Sequence, residues 1–145
     1  MKMENRIALD YAMLLALLAL MLKPLTGVFA HETLGLGFIL LVVLHVCNNR
    51  SWVRKMFSGK AGSGKSALKM VVNGMLIATI ALTLFSGVMV SVALFGFLDI
   101  PYREIFYKIH STSGQAVLAL SVAHLILHMK MIGAFLKKRK QARSK

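Results

Sequence analysis

Long apolar stretches dominate the chain, and most polar residues are gathered between them. Met70 to Leu98 and Ile109 to Met129 contain no charged residue, and Glu32 is the only charge between Lys23 and Arg50. Since a helix rises about 1.5 Å per residue, each of these three stretches is long enough to cross a hydrocarbon layer of about 30 Å. A shorter apolar stretch, residues 7–22, precedes them.

The pattern predicts an all-α protein, a bundle of four transmembrane helices that forms one membrane domain over residues 1–145. Helices are expected at about residues 4–23, 27–48, 69–96 and 105–136, and a cytoplasmic linker at about 50–68. The first helix is long enough if it begins near Glu4 and if Lys23 extends to the interface. Alternatively, the segment that ends at Ala30 is a secretory signal cleaved after that residue, which would leave three spans.

Charge adds an orientation to this picture. The chain is 57% hydrophobic yet has a formal net charge of +13, and 15 of its 18 Lys and Arg residues fall on one side of the predicted bundle. Because basic residues stay in the cytoplasm, both termini are predicted to be cytoplasmic, in a multi-pass protein of the bacterial inner membrane. The expected partner of these charges is anionic inner-leaflet lipid and not nucleic acid.

The stretch GKAGSGKS at residues 59–66 matches the phosphate-binding loop pattern G-x-x-x-x-G-K-[ST]. Such a loop works between a strand and a helix, where backbone N–H groups converge on phosphate. Here it follows the basic interfacial segment RSWVRKMF and precedes a membrane helix. We therefore interpret it as a flexible linker with lysines near lipid headgroups, and we expect no nucleotide there.

Histidines form an internal repeat. Residues 31–45, HETLGLGFILLVVLH, and residues 110–124, HSTSGQAVLALSVAH, both read H-x-T-x-G-x(9)-H and align without a gap. From one histidine to the next in each stretch is close to four helical turns, so both histidines of a helix share one face, about 21 Å apart. The two helices run in the same direction, so His31 should lie level with His110, and His45 level with His124.

Each predicted pair suits haem better than zinc. Haem iron leaves two axial positions for neutral imidazoles, whereas structural zinc takes four protein ligands. Gly35 and Gly114 each lie one turn after a histidine, where a missing side chain leaves room for the edge of a macrocycle. The alternative is that these histidines and glycines only serve helix packing. Two pairs in matched register favour ligation, since ionisable groups inside membranes are usually functional.

Two further polar residues lie near the inner histidine level. His128 lies one turn beyond His124 and could replace it as a ligand, but the repeat favours His124 and makes His128 an interfacial residue. Asp10 could serve a proton path to a quinone, although an interfacial carboxylate near Arg6 is the simpler interpretation. The one cysteine, Cys47, cannot form an internal disulfide.

With these residues, the chain resembles the small four-helix di-haem cytochrome b membrane proteins of bacteria, and more narrowly the flavinylation-associated cytochrome domain. The resemblance is carried by His31 and His45 on the second helix and by His110 and His124 on the fourth. It implies two non-covalent haem b groups with these histidines as axial iron ligands. It also implies an extracytoplasmic redox partner, which carries flavin in the narrower family, and a quinol or cytoplasmic donor.

The predicted function is transmembrane electron transfer by a carrier that is not itself an enzyme, or by the membrane subunit of an oxidoreductase complex. Two occupied axial positions leave no open site on the iron for other chemistry. Basic residues near each level are candidate partners of the haem propionates: Arg103 and Lys108 outside, Arg50 and Arg54 inside. Two other classes remain open, a histidine-lined metal-ion transporter and a haem-free membrane scaffold.

Overall fold

The chain is all-helical, as the apolar pattern predicts. The computed structural model describes residues 3–58, 64–98 and 100–143. Within these ranges it contains no strand and five helices, numbered α1 (Met3–Met21), α2 (Lys23–Asn48), α3 (Arg50–Phe57), α4 (Lys65–Val90) and α5 (Arg103–Arg143).

Three described helices, and not the predicted four, are long and apolar enough to cross a membrane. They comprise Lys23–Asn48, Ser66–Val90 and Arg103–Met129. The first helix, α1, has 19 residues and carries Glu4, Arg6 and Asp10, and these charges within so short a helix set it apart from the other three. Three apolar helices of this length indicate a multi-pass membrane protein.

Several helix boundaries differ from the prediction. The segment expected to be a linker contains α3, whose basic and apolar residues alternate with helical spacing. The next helix, α4, begins at Lys65 instead of 69. The last helix continues to Arg143 instead of ending near 136, because the sequence there is built largely of strong helix formers. Residues 59–63 of the GKAGSGKS stretch lie outside the described residues, and the element before that stretch is a helix.

The end of α4 at Val90, six residues before the predicted end, has a tertiary cause. The carboxylate of Glu32 on α2 accepts a hydrogen bond from Ser91 Oγ at 2.6 Å. It also accepts bonds from the backbone N–H groups of the next three residues, at 2.9, 3.1 and 2.8 Å for Val92, Ala93 and Leu94. We call residues 91–94 the Glu32 loop. Its N–H groups bind a side chain of α2 instead of continuing the helix.

The four long helices form two antiparallel hairpins, α1–α2 and α4–α5. The backbones of α1 and α2 pack closely together, and so do those of α4 and α5. The two hairpins are farther from each other. In the first hairpin the chain turns at Leu22, and Gly27 has φ 80° and ψ 172°. Only glycine adopts this conformation readily, so the regular part of α2 begins after Gly27, close to the predicted start.

A small apolar core lies halfway along the hairpins. Its buried residues are Leu17, Phe38 and Val117. Phe38 lies midway in sequence between His31 and His45, and Val117 occupies the equivalent position on α5, so this core separates the two predicted histidine levels. Few residues of the three spans are buried in the isolated chain, as expected for helices that face lipid.

Contacts between helix ends define the two ends of the bundle. At the basic end, Arg6 of α1 donates a hydrogen bond from Nη2 to the carbonyl oxygen of Asn48 at 3.3 Å. At the far end, Lys23 lies 5.6 Å from the centre of the Tyr107 ring, and the Glu32 loop contacts α2. The basic end therefore carries α3 and the starts of α1 and α4, and the far end carries the start of α5.

Candidate cofactor site: two opposed histidine pairs

The structure brings the four repeated histidines together as two pairs. The ring centroids of His31 and His110 are 6.0 Å apart, and those of His45 and His124 are 6.4 Å apart. The planes of the two rings are inclined by 85° in the first pair and 71° in the second. Each pair joins α2 of one hairpin to α5 of the other, at the levels that the repeated motif predicts. We call His31 and His110 the far-end pair, and His45 and His124 the basic-end pair.

Both histidines of the far-end pair bond to backbone carbonyls of the helix beside them. His31 donates from Nδ1 to the carbonyl oxygen of Leu20 on α1 at 3.0 Å. His110 donates from Nδ1 to the carbonyl oxygen of Thr83 on α4 at 2.9 Å. A carbonyl oxygen only accepts, so Nδ1 carries the hydrogen in both rings. In a neutral imidazole the lone pair then lies on Nε2.

The basic-end pair repeats this arrangement with side chains as acceptors. His45 donates from Nδ1 to Oδ1 of Asp10 on α1 at 2.9 Å. His124 donates from Nδ1 to Oδ1 of Asn73 on α4 at 2.6 Å, and Asn73 is buried. Nε2 again carries the lone pair. A fixed tautomer and a fixed ring direction are what acceptor groups behind metal-binding histidines provide.

These acceptors reveal a second correspondence, which the histidine motif does not contain. The step along the chain from Asp10 to Asn73 equals the step from Leu20 to Thr83. The α1–α2 hairpin therefore corresponds to the α4–α5 hairpin at these acceptors as well as at the histidines. Two signals could have found it: the side chains of Asp and Asn have nearly the same shape, and each follows a basic residue by four positions, Arg6 and Lys69.

Asp10 contacts a histidine of the repeat, which the interpretation as an interfacial carboxylate near Arg6 did not include. Its carboxylate faces His45, while the Arg6 guanidinium bonds to the backbone of Asn48. The sequence-based interpretation placed both charges at a helix end. It could not show that α1 packs against α2 with Asp10 directly beside a histidine of the repeat.

The spacing of each pair fits a single metal ion held from two sides. An imidazole nitrogen bonds a first-row metal ion at about 2 Å and lies about 1 Å from its ring centroid, so two opposed rings are about 6 Å apart. The observed 6.0 and 6.4 Å agree. Among the described residues, no three His, Cys, Asp or Glu side chains form a group that could hold a metal ion. Each pair thus offers two ligands, the number that haem iron accepts axially.

Glycines near the histidines differ in the space around them. A Cβ added at Gly35 would meet no atom within 4 Å, and at Gly114 the nearest atom would be Met21 Cε at 3.9 Å. At Gly87 on α4, by contrast, a Cβ would lie 3.0 Å from Cε1 and 3.2 Å from Nδ1 of His110. The His110 ring therefore packs closely against Gly87, where a side chain would crowd it. No repeated motif contains Gly87, so the sequence pattern did not indicate it.

His128 does not join the basic-end pair from the opposite side. Its ring stacks on that of His124, with centroids 4.6 Å apart and planes inclined by 28°. Its Nε2 atom is buried and has no hydrogen-bond partner among the described residues. His128 therefore lies behind His124 on the same helix, while His45 faces His124 from the other hairpin.

The four predicted propionate partners lie at the expected ends. Arg103 is half-buried and donates from Nη2 to the carbonyl oxygen of Leu98 at 3.0 Å, so this guanidinium also holds the connection before α5. Lys108 is exposed at the far end, and Arg50 and Arg54 are exposed on α3 at the basic end.

Comparisons with known proteins do not place the chain in a family. No protein-family model, no curated protein and no solved structure matches it.

Proposed function

We propose that this protein is a b-type cytochrome that carries electrons across a membrane and binds two haems, one at each histidine pair. The observation that carries the proposal is the shared geometry of the four histidines. Each ring centroid lies about 6 Å from that of a second ring, and each ring donates from Nδ1 to an acceptor on the neighbouring helix. Packing alone does not require four rings with the same tautomer in two matched levels.

Haem iron supplies one-electron exchange between its ferric and ferrous states, and two imidazoles complete its coordination. The protein's residues then have three tasks. The Nδ1 acceptors hold each ring in place, and the apolar core around Phe38 keeps water from the region between the levels. Basic residues at both ends, among them Lys108 and Arg54, can bind the propionates.

The same proposal includes the topology that the sequence predicts. We infer that α1 also spans the membrane, because it lies beside α2 from the level of His45 to that of His31. The charge of Asp10 is then directed into the bundle. The basic end is the cytoplasmic one, since it carries α3 and most Lys and Arg residues, and anionic lipid is its partner.

The redox partners follow from this orientation and from the family that the sequence resembles. Electrons enter from a quinol or a cytoplasmic donor and leave to an extracytoplasmic redox protein, which carries flavin in the narrower family. The Glu32 loop and the start of α5 form the surface that such a partner meets. The location is the bacterial inner membrane.

A reduced-minus-oxidised absorption spectrum of the purified protein tests the proposal against its two rivals. We expect sharp low-spin b-type bands and two haems per chain, measured by pyridine haemochrome and protein assay. Bound zinc or copper without porphyrin would instead support a metal-ion transporter. A protein that takes up neither haem nor metal, even when expressed with added haem precursor, would support a scaffold.

Gly87→Ala is expected to weaken retention of the far-end haem without destabilising α4. Alanine raises helix propensity by about 1 kcal/mol, but its Cβ displaces the His110 ring by a few tenths of an ångström. The measurement is the rate at which an apo-globin extracts haem from the purified protein. The matched control is Gly74→Ala on the same helix, where the nearest atom is the flexible Met56 Sδ at 3.8 Å. Equal extraction rates for the two variants would contradict the prediction.

A further inference from the structure

The two histidine pairs differ in the charge of the groups behind them. Both far-end histidines bond to backbone carbonyls, which are neutral. At the basic end, His124 bonds to the neutral amide of Asn73, and His45 bonds to the carboxylate of Asp10. Asp10 is thus the one carboxylate that accepts a hydrogen bond from a repeated histidine in the described part of the chain.

The far end also contains a carboxylate, Glu32, but in a different role. Its oxygens accept hydrogen bonds from four donors of the Glu32 loop, and they bond to neither His31 nor His110 among the described residues. The donors of that loop offset the charge of Glu32. Glu32 therefore does not bond to a histidine of its pair, as Asp10 does.

We propose that Asp10 is a positioning residue that lowers the reduction potential of the basic-end haem relative to a neutral acceptor at the same position. This inference rests on the proposed function. A carboxylate that accepts the Nδ1 hydrogen makes the imidazole more basic, and a more basic ligand favours the ferric state. Such a shift would favour electron transfer from the basic end towards the far end.

The expected effect is moderate, because the Asp10 side chain is 42% exposed and solvent screens part of its charge. We expect the Asp10→Asn variant to shift the reduction equilibrium of the basic-end haem about tenfold towards the ferrous state, which for one electron is about 59 mV. The variant keeps the shape and the acceptor oxygen of the side chain. It makes position 10 like its counterpart, Asn73.

The reciprocal variant, Asn73→Asp, should shift the reduction potential in the opposite direction. It adds a second carboxylate to the basic-end pair, so the potential of the same haem should fall further. Both variants are measured by potentiometric titration of the purified protein, followed by absorbance and fitted to two one-electron steps. The basic-end haem is identified as the step that His45→Ala removes. The other step should stay constant in both variants.

Each outcome decides the proposal. Opposite shifts of one step support it. Two bound haems with unchanged potentials in either variant overturn it. If Asp10→Asn loses the basic-end haem, Asn73→Asp still decides by its shift, and loss of that haem in both variants shows that these groups serve binding and not potential. A wild-type protein without haem would overturn the proposed function itself, which is a distinguishable result.

Discussion

Replacing His31 and His110 together by alanine is expected to leave a protein with one haem per chain. The two rings face each other from different hairpins, so they serve the same level. The double variant of His45 and His124 should likewise keep one haem, and the one that remains should be the other. The measurement is the haem-to-protein ratio, with the potential of the remaining haem to identify it.

The crossed variants make this prediction sharp. His31→Ala with His45→Ala removes one ligand from each level and should leave no haem in stable bis-histidine ligation, although the number of substitutions is the same. His128→Ala is the control, because its ring stacks behind His124 without facing His45, and both haems should remain. One retained haem in the crossed variant and none in the level-matched variant would show that the assignment is wrong.

The second large effect is expected at Glu32. Removing its carboxylate in Glu32→Ala leaves Ser91 Oγ and three backbone N–H groups without their acceptor. We expect a loss of about 2–3 kcal/mol in the free energy of unfolding, since water at the end of the bundle replaces part of each bond. The measurement is thermal unfolding in detergent, combined with limited proteolysis of the Glu32 loop.

Glu104→Ala is the matched control for this variant. Glu104 is an exposed carboxylate in the first turn of α5, where its interaction with the helix dipole contributes about 0.3–1 kcal/mol. Its loss should leave the protease sensitivity of residues 91–94 unchanged. Equal thermal shifts for the two variants would mean that the bonds to the Glu32 loop do not stabilise the protein.

The sequence predicted the histidine pairs because the residues that form them are identical in both halves. It could not predict the acceptors at the far end, since Leu20 and Thr83 act through backbone carbonyls that every residue has. Asp10 and Asn73 were hidden for a different reason. They differ in type, and they are closer together in sequence than the paired histidines are, because the connection between α4 and α5 is longer than that between α1 and α2.

The number of helices and their ends were also only partly predictable from the sequence. Apolar length predicted the three helices that are suited to span a membrane, but it could not predict the end of α4. The sequence after Val90 remains largely apolar, and the helix ends where Ser91 bonds to Glu32, a residue that is distant in sequence. The charges on α1 lower its mean hydropathy, and the sequence alone shows this. The contact of Asp10 with His45 depends on the fold.

The correspondence between the two hairpins has a consequence for the chemistry that each level can have. A single hairpin of this kind, paired with an identical copy around a two-fold axis, would already contain both levels, but each level would be built from two identical ligands with identical neighbours. Joining the copies in one polypeptide removes that constraint. Position 10 and its counterpart at 73 can then differ, and in this chain they do, so that His45 and His124 have different acceptors behind them.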